Sequence, residues 1–523
     1  VRRLRQIKRR PHKPLAVMVP SLEAAERLAV LSPAERVLLA SPQAPIVLAE
    51  RRTDTPIAVA VAPGNDHIGL MLAYSPLHHL LLRDVGRPLV MTSANRPGEP
   101  LGRTAEEARA TIGRDVDALL LHNRPIHQRC DDGVWMVTAH GPQPIRVSRG
   151  TAPQALAVPV ETPVPILAIG ADIKNSFCLL SGRRALISQY IGTIEHVATQ
   201  EHFRDALEKW MHLTAIDPAF VAHDLHPASP ARALAERLGL PTIGVQHHHA
   251  HIAACLAEHG VEGPAIGIAF DGTGYGLDGA IWGGEAVIAD LTGFRRAAHL
   301  EYLPLPGGDA AIRHPARTAF AYLLALGLEG TPLLEQQQRR IVGRMVERGI
   351  QTVPTSSAGR LFDAVAALLG VCADTTYEAQ AAIELETIAR RSAAPQAAYP
   401  FTMDGEIVRL RALFEAILSD LRAGKPVALI ARRFHLTMAE IVVQMACTRR
   451  NASGLSTVAL SGGCFQNRLL LADAIARLEA EGFTVLAHRH VPANDNGLSL
   501  GQAVVAAAQR AAALCAAGRS SCV

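Results

Sequence analysis

Two histidines one helical turn apart form the most distinctive chemical pattern of this sequence. Residues 244–254 read GVQHHHAHIAA, in which His247 and His251 stand at positions i and i+4. On a helix the two imidazoles share one face and can bind one metal ion together. A zincin protease motif would need a glutamate where His248 stands. We therefore predict a non-protease metal site, although a polar helix start with structural histidines is the alternative.

Such a site needs a further ligand, and an oxygen atom would suit zinc, iron or manganese. Asp495 lies in the loop PANDNG, between a short apolar segment and a helix that starts near Leu498. We predict that its carboxylate joins His247 and His251. Spacing alone equally allows Asp495 to be the N-cap of that helix.

A basic run opens the chain and leads into a short apolar strand. Residues 1–13 read VRRLRQIKRRPHK, and PLAVMVP follows. Lys8, Arg10 and Lys13 could converge beside the strand and bind phosphate groups as charged donors. A solvated basic face or a nucleic-acid patch remains an open alternative.

A second group of candidate ligand contacts lies further along the same region. Ser93 and Asn95 belong to the turn-rich loop TSANRPGEP, where they could hydrogen-bond a ligand or only their own backbone. Several arginines follow, including Arg149 in RVSRG, without a matching acidic run. They favour an anionic substrate.

The composition of the 523 residues is that of a globular protein with several apolar cores. A net charge of +4 is small for this length and makes a general nucleic-acid coat unlikely. The eight cysteines contain no C-x-x-C pair, which argues against zinc fingers and disulfide frameworks and favours a reducing cytosol. We find no signal peptide and no apolar run of transmembrane length.

A proline-rich segment is predicted to separate two domains. Residues 152–165 contain four prolines and are predicted to form a stiff extended linker between two domains. After it, several glycine loops follow strands, as in ILAIGADIKNSF, AIGIAFDGTGYG and TVALSGGCFQN. There is no Walker pattern, so a P-loop nucleotide site is excluded. The repeated strand and glycine loop favours the two-lobed fold of actin and sugar kinases.

Seven segments in this order resemble one family: IGADIKNSFCLL, VQHHHAHIAAC, FDGTGYGLDGAIWGGE, LPGGDAAIRHPAR, TSSAGRLFDAVAALLG, LSGGCFQN and PANDNGLSLGQ. Together they resemble the HypF hydrogenase-maturation carbamoyltransferases over essentially the whole chain. Residues 1–155 resemble the α+β YrdC-like domain of that family. Residues 163–515 resemble its TsaD-like domain, an α/β domain of actin and sugar-kinase architecture.

The resemblance departs from the family at the beginning of the chain. The family usually starts with an acylphosphatase domain and zinc-finger modules, and neither pattern is present. The first strands of the YrdC-like domain are also expected to be missing. We therefore expect a C-terminal fragment of a longer protein.

The resemblance implies an ATP-dependent enzyme of the cytoplasm with two reaction steps. Carbamate, derived from carbamoyl phosphate, reacts with ATP and magnesium to give carbamoyl adenylate. The carbamoyl group then passes to the C-terminal cysteine of the partner HypE. One divalent metal, iron or zinc, is expected at His247, His251 and Asp495, and no membrane or nucleic acid is expected as partner.

The resemblance also carries over candidate contacts for nucleotide and adenylate. In the YrdC-like region these are Lys8, Arg10, Lys13, Ser93, Asn95 and Arg149. In the TsaD-like region Gly359, Asp363 and Asn467 match nucleoside contacts, and Lys174 and Asp271 lie in the phosphate-loop segments. Alternatives are a related O-carbamoyltransferase, a tRNA threonylcarbamoyl transferase and an ATP-binding fragment without transfer activity.

Overall fold

The chain folds into two compact units, one of which is discontinuous in sequence. The computed structural model describes residues 1–96, 98–330, 333–392 and 397–520. The first unit contains Val1–Val245 and Arg489–Val523, and the second contains Gln246–His488. Both combine sheets with helices, which confirms the predicted mixed α/β class.

The first unit begins with a mixed sheet, to which seven strands contribute within the described residues. The strands are β1 (Ala16–Val19), β2 (Ala29–Val30), β3 (Ile46–Arg51), β4 (His67–Leu72), β5 (Leu89–Met91), β6 (Val134–Thr138) and β7 (Gly141–Arg146). Their order is β5-β1-β4-β3-β6-β7, with β2 paired to β3. The helices of this region are α1 (Arg2–Ile7), α2 (Leu22–Glu26), α3 (Pro33–Leu39), α4 (Pro76–Val85) and α5 (Ala105–Ile112).

A second sheet of the first unit has the order β11-β10-β8-β9. It consists of β8 (Gln154–Ala168), β9 (Cys178–Ile187), β10 (Phe220–Asp224) and β11 (Thr242–Val245). The helices α6 (Val197–Thr214) and α7 (Pro230–Arg237) belong to the same region. Phe177, Phe203 and Trp210 form the centre of its apolar core.

The predicted linker at residues 152–165 is wrong, because most of it belongs to strand β8. β8 pairs with β9 in regular register at Gln154–Ala157 and again at Ile166–Ala168, with register shifts between the two stretches. Pro159, Pro163 and Pro165 fall in the irregular part, where the missing N–H removes little from the hydrogen-bond ladder. An extended proline-rich sequence is therefore compatible with a strand at this place.

The second unit is built on one large mixed sheet, in which nine of the described strands take part. They are β12 (Ala265–Tyr275), β13 (Ile281–Ala289), β14 (Phe294–Leu300), β15 (Leu303–Pro306), β16 (Thr352–Thr355), β17 (Thr402–Asp404), β18 (Ile407–Arg409), β19 (Thr457–Ser461) and β20 (Thr484–Ala487). The central order is β17-β18-β14-β13-β12-β19-β20. The first six residues of β12, AIGIAF, are completely buried, as expected for a central strand covered on both faces.

Helices pack on this sheet, and several of them form a large apolar core with it. They are α8 (His247–Glu258), α9 (Asp309–Arg313), α10 (Pro315–Ala325), α11 (Gln336–Arg348), α12 (Ala358–Leu368), α13 (Gln380–Ala389), α14 (Arg411–Arg422), α15 (Val427–Ser453) and α16 (Arg468–Ala480). Both α8 and α12 are almost entirely buried. Polar side chains on these two helices are therefore largely shielded from solvent.

The last helix, α17 (Leu498–Ser520), returns to the first unit and packs on β8, β9 and β10. Among the described residues, one helical stretch, Asp495–Ala516, is long and apolar enough to cross a membrane by length and composition, and it includes most of α17. Most of that stretch is buried, as in a core helix. Gln502 fixes α17 to the sheet by bonds to both the N–H and the carbonyl of Gly170.

Candidate metal centre and ligand-binding loops

The two histidines that define the sequence pattern meet on one face of α8. Gln246 caps the helix, with its side-chain oxygen accepting the His249 N–H at 2.9 Å. The rings of His247 and His251 then lie one turn apart, with centroids 4.9 Å from each other. Both side chains are buried, with 6% and 1% exposure. The predicted shared face is therefore present.

A carboxylate from β12 faces both rings. Oδ2 of Asp271 lies 3.3 Å from Nε2 of His247 and 3.7 Å from Nε2 of His251. Its Oδ1 accepts the N–H of Gly463 at 2.9 Å. Asp271 stands where the register between β12 and β13 shifts, a frequent feature beside functional sites.

The electrostatics of Asp271 keep its carboxyl group ionised. Burial alone would raise its pKa, but hydrogen bonds and charge from His247 and His251 hold the pKa well below the usual range. One nitrogen from each ring and one carboxylate oxygen lie within 4.8 Å of one another. Two imidazoles and a carboxylate fit zinc or iron, so these residues can hold the expected metal.

The other two histidines of the motif have partners outside the group of His247, His251 and Asp271. Nδ1 of His248 faces the amide of Gln246 at 3.2 Å, and Nε2 of His249 faces the carbonyl of Asp290 at 2.7 Å. A Cβ at Gly274 would lie 2.8 Å from His247 and 2.4 Å from His248, so glycine is needed beside the rings. His248 and His249 therefore have structural contacts.

Asp495 belongs to the first unit, where it begins a 3-10 turn, Asp495–Gly497, and is buried. The N-cap of this turn is Asn494, whose side chain accepts the Asn496 N–H at 3.0 Å. Asn494 thus caps the 3-10 turn that precedes α17. The role of Asp495 as a further metal ligand stays a prediction.

The glycine loop around Asp271 is held against the start of α12. Ser357 donates its hydroxyl to the carbonyls of Asp271 and Gly272, at 2.8 and 2.6 Å. A Cβ at Gly359 would lie 2.7 Å from the Cα of Gly272. Gly359 thus permits a close backbone approach, the kind of packing that a nucleotide loop also requires.

Asp363 and Asn467, the other predicted nucleoside contacts, have protein partners in the second unit. Asp363 pairs with Arg360 at 2.9 Å, and burial raises its pKa although Arg360 opposes the rise. Asn467 caps α16 by accepting the Leu470 N–H at 3.0 Å, and its amide lies 2.9 Å from Nε2 of His435. Lys174 lies in the β8–β9 loop of the first unit, with a left-handed φ of 46°.

In the YrdC-like region Lys8 holds the loop that contains Ser93 and Asn95. Its ammonium donates to the Ser93 carbonyl at 3.0 Å, to Asn95 Oδ1 at 2.8 Å and to the Asn95 carbonyl. The Ser93 hydroxyl also donates to Asn95 Oδ1, at 2.6 Å. The structure thus brings these three predicted residues together, while Pro97 of the same loop lies outside the described residues.

The remaining predicted cations of this region have separate contacts. Arg10 donates to the Pro14 carbonyl at 2.6 Å, and the carbonyl of Lys13 accepts from Arg5. Arg149 pairs with Asp132 at 2.8 Å and stacks on Tyr74, its Cζ atom 3.5 Å from the ring centroid. Arg10 nevertheless acts on Lys8 electrostatically.

Sequence reasoning missed the position of two buried groups of the second unit. It placed Asp271 among nucleotide contacts, whereas its carboxylate faces the histidines. It also passed over Arg360, which is 7% exposed and has Nε and Nη1 without a hydrogen-bond partner among the described residues. The sequence signal that could have identified Arg360 is its position among the apolar residues of α12.

Comparison with known families assigns most of the chain. A model described as "Carbamoyltransferase, Kae1-like Domain, second subdomain" matches residues 267–502. "HypF Kae1-like domain" matches 161–258, and a Sua5/YciO/YrdC model described as "Telomere recombination" matches 1–148.

Similar proteins cover nearly the whole chain. Carbamoyltransferase HypF2 of Cupriavidus necator is 39% identical over 97% of this chain and 69% of its own length. Carbamoyltransferase HypF of Rhodobacter capsulatus is 40% identical over 97% of this chain and 68% of its own. The chain thus spans about two thirds of the length of these relatives.

Two solved structures share the fold throughout. Full-length HypF in the phosphate- and nucleotide-bound form has a TM-score of 0.93 and 39% identity, covering 97% of this chain and 81% of that one. HypF of T. kodakarensis has a TM-score of 0.90 and 32% identity, covering 96% and 68%.

Proposed function

The chain belongs to the HypF family of carbamoyltransferases, and on that premise we propose that it makes carbamoyl adenylate and carbamoylates a protein thiol. In the first step an oxygen of carbamate, itself derived from carbamoyl phosphate, attacks the α-phosphorus of ATP, and pyrophosphate leaves. In the second step a cysteine thiolate attacks the carbamoyl carbon, and AMP leaves. The acceptor is the C-terminal cysteine of HypE, in the cytoplasm.

The observation that carries this proposal is that His247, His251 and Asp271 converge in this chain, which is related to carbamoyltransferases. We assign these residues to one divalent metal, zinc or iron, with Asp495 as a further ligand. When bound, the metal supplies a Lewis acid that polarises the carbamoyl carbonyl. The buried histidines fix its place, and the ionised Asp271 balances its charge.

We assign adenylate formation to residues 1–155 and carbamoyl transfer to residues 163–515. Matches of the three family models to 1–148, 161–258 and 267–502 support this division. In the second region Lys174, Gly359, Asp363 and Asn467 are the proposed contacts to the nucleotide. The similarity to a nucleotide-bound HypF structure supports ATP as the substrate.

The proposed nucleophile comes from the partner, because buried thiols of this chain are poorly suited to the role. Burial raises the pKa of Cys255, and desolvation raises the pKa of the partly buried Cys464, in both cases well above the usual thiol value. A thiol with a raised pKa yields little thiolate at neutral pH. The C-terminal cysteine of a separate protein is not buried in this chain, so this rise in thiol pKa does not apply to it.

The proposal is tested by supplying ATP, magnesium, and carbamate or carbamoyl phosphate, with and without HypE. We expect pyrophosphate release without HypE, and a carbamoyl group on the HypE C-terminal cysteine, seen by mass spectrometry, when HypE is present. HypE with its last cysteine replaced by serine is the matched control. Carbamoylation of tRNA or of a small-molecule hydroxyl instead would contradict the proposal, as would ATP binding without pyrophosphate release.

In residues 1–155 we propose that Lys8, Arg10, Lys13 and Arg149 attract the carbamate and triphosphate, while Ser93 and Asn95 contact the nucleotide. Lys8 gives this assignment a pH dependence. Its burial, followed by the charge of Arg10, lowers its pKa to about 8. The ammonium therefore prevails below pH 8 and the neutral amine above it.

We expect the KM for ATP in pyrophosphate release to rise as the pH increases through about 8. The neutral amine keeps only two N–H donors for the three oxygens of Ser93 and Asn95 that the ammonium holds, so one charged hydrogen bond in the nucleotide-contacting loop is lost. At about 1.5–3 kcal/mol for such a bond, ATP binding should weaken about 10- to 100-fold. Lys8→Arg keeps its charge over this range and should remove the rise. An equal pH dependence in wild type and Lys8→Arg would show that another group titrates.

A further inference from the structure

A line of buried polar side chains runs behind the metal-facing histidine His251. Its Nδ1 lies 3.5 Å from the hydroxyl of Ser461, and that hydroxyl lies 2.7 Å from Nε2 of His488. Nδ1 of His488 lies 2.6 Å from Oε1 of Glu258. The exposed fraction of His251, Ser461 and His488 is 3% or less, and that of the Glu258 side chain is 1%.

Three elements of the second unit place these groups. α8 carries both ends, because His251 and Glu258 are seven residues apart and share a face. Ser461 ends β19, and His488 directly follows β20. These strands are parallel neighbours with Leu460 opposite Ala487, so their next residues emerge side by side beneath α8.

The carboxylate at the end of the line determines where the protons lie. The Glu258 carboxylate lies at ion-pair distance from Nδ1 of His488, although these two atoms do not have hydrogen-bond geometry, and its negative charge favours the proton of a neutral His488 ring on Nδ1. The ring proton of His488 is thus placed on Nδ1, and Nε2 is left to accept the Ser461 O–H. The Ser461 oxygen can then accept the Nδ1–H of His251.

This order of donors leaves the lone pair of His251 on Nε2, the atom that faces Asp271. That is the tautomer in which His251 can bind a metal together with His247. In metal sites, partners on the second ring nitrogen of a ligating histidine fix its orientation and raise its basicity.

We propose that Ser461, His488 and Glu258 form a positioning relay, which holds His251 in the metal-binding tautomer and orientation. The proposal rests on the proposed metal site and adds three positioning residues to it. None of the three contacts the metal or substrate; they act through His251. A purely structural reading, in which the groups only satisfy one another inside the protein, predicts an effect on stability without an effect on metal affinity.

The test measures Zn²⁺ affinity of the full chain by competition with a chromophoric chelator, without any turnover. Ser461→Ala and His488→Phe break the relay at two points, and each should weaken Zn²⁺ binding about 10- to 100-fold. Glu258→Gln should have a smaller effect, because the glutamine carbonyl still presents a partial negative charge to the His488 N–H. The spectrum of bound Co²⁺ should change in the same order.

Thr318→Val is the matched control for loss of a buried hydroxyl. Thr318 is fully buried and donates to the Ala311 carbonyl at 3.0 Å. The melting temperature of each metal-free variant shows whether it is folded. Unchanged Zn²⁺ affinity in Ser461→Ala and His488→Phe, or an equal loss in Thr318→Val, would overturn the relay while leaving the proposed function intact. Absence of Zn²⁺ binding by the wild type would overturn the metal site and the relay together.

Discussion

Replacing both His247 and His251 by alanine is expected to abolish stoichiometric metal binding and transfer of the carbamoyl group to HypE. These rings supply two of the three nitrogen and oxygen atoms that converge in the second unit. At about 3 kcal/mol per ligand, the loss is roughly 6 kcal/mol, or about 10⁴-fold in metal affinity. Loss of Lewis-acid assistance should slow transfer by about 10³-fold or more.

Three measurements separate this outcome from general damage. Elemental analysis reports the metal, pyrophosphate release reports the step assigned to residues 1–155, and mass spectrometry reports the carbamoylated thiol. Pyrophosphate release without HypE should survive in the double variant. His249→Gln is the matched control, because His249 lies on the same buried helix but faces the carbonyl of Asp290. A metal-free double variant that still carbamoylates HypE would leave the histidines with a structural role only.

Replacing Arg296 by methionine is expected to lower the free energy of unfolding of the second unit by about 3–5 kcal/mol. Nε of Arg296 lies 2.7 Å from Oε2 of Glu285, whose side chain has 0% exposure. The substitution leaves that carboxylate without its cation inside the protein, which is far more costly than losing a surface pair. The guanidinium also stacks on Trp282, its Cζ atom 4.0 Å from the ring centroid.

The same pair also holds the backbone just before α12, the helix that contains the proposed nucleotide contacts Gly359 and Asp363. Oε1 of Glu285 accepts the N–H groups of Gly283 and Gly284 and the hydroxyl of Ser356, just before α12. Arg295→Met is the control, since Arg295 is the preceding residue but is 63% exposed and 3.8 Å from Glu406. We expect it to change stability by at most about 1 kcal/mol. The free energy of unfolding is measured in urea. Equal losses in Arg296→Met and Arg295→Met would show that the unpaired, buried carboxylate of Glu285 is not the cause of the destabilisation.

The histidine pair could be predicted because its geometry is local. Spacing of four residues fixes the face on which His247 and His251 lie, whatever the rest of the chain does. Asp271 was harder to place, because it meets these rings only through the packing of α8 on β12. Ser461 and His488 depend in addition on the register of β19 and β20. Such register follows from the packing of the whole sheet.

The proline-rich segment shows the opposite error, in which a local rule was applied too strictly. Prolines disfavour regular sheet pairing, and the sequence therefore predicted a linker where β8 runs. A strand with an irregular stretch accommodates Pro159, Pro163 and Pro165 without losing its paired ends. The positions of such irregularities follow from partner strands elsewhere in the chain, so a single segment does not reveal them.

The return of α17 to the first unit has a consequence for biosynthesis. The second unit is one uninterrupted segment, Gln246–His488, so all of it is synthesised before α17. The β8–β11 sheet, by contrast, lacks the cover of α17 and the bonds from Gln502 to Gly170 until then. We expect the β8–β11 sheet to complete its fold only when α17 is available, later than the usual N-to-C order would give. A nascent chain arrested near residue 490 would expose the uncovered sheet and be a natural client for chaperones.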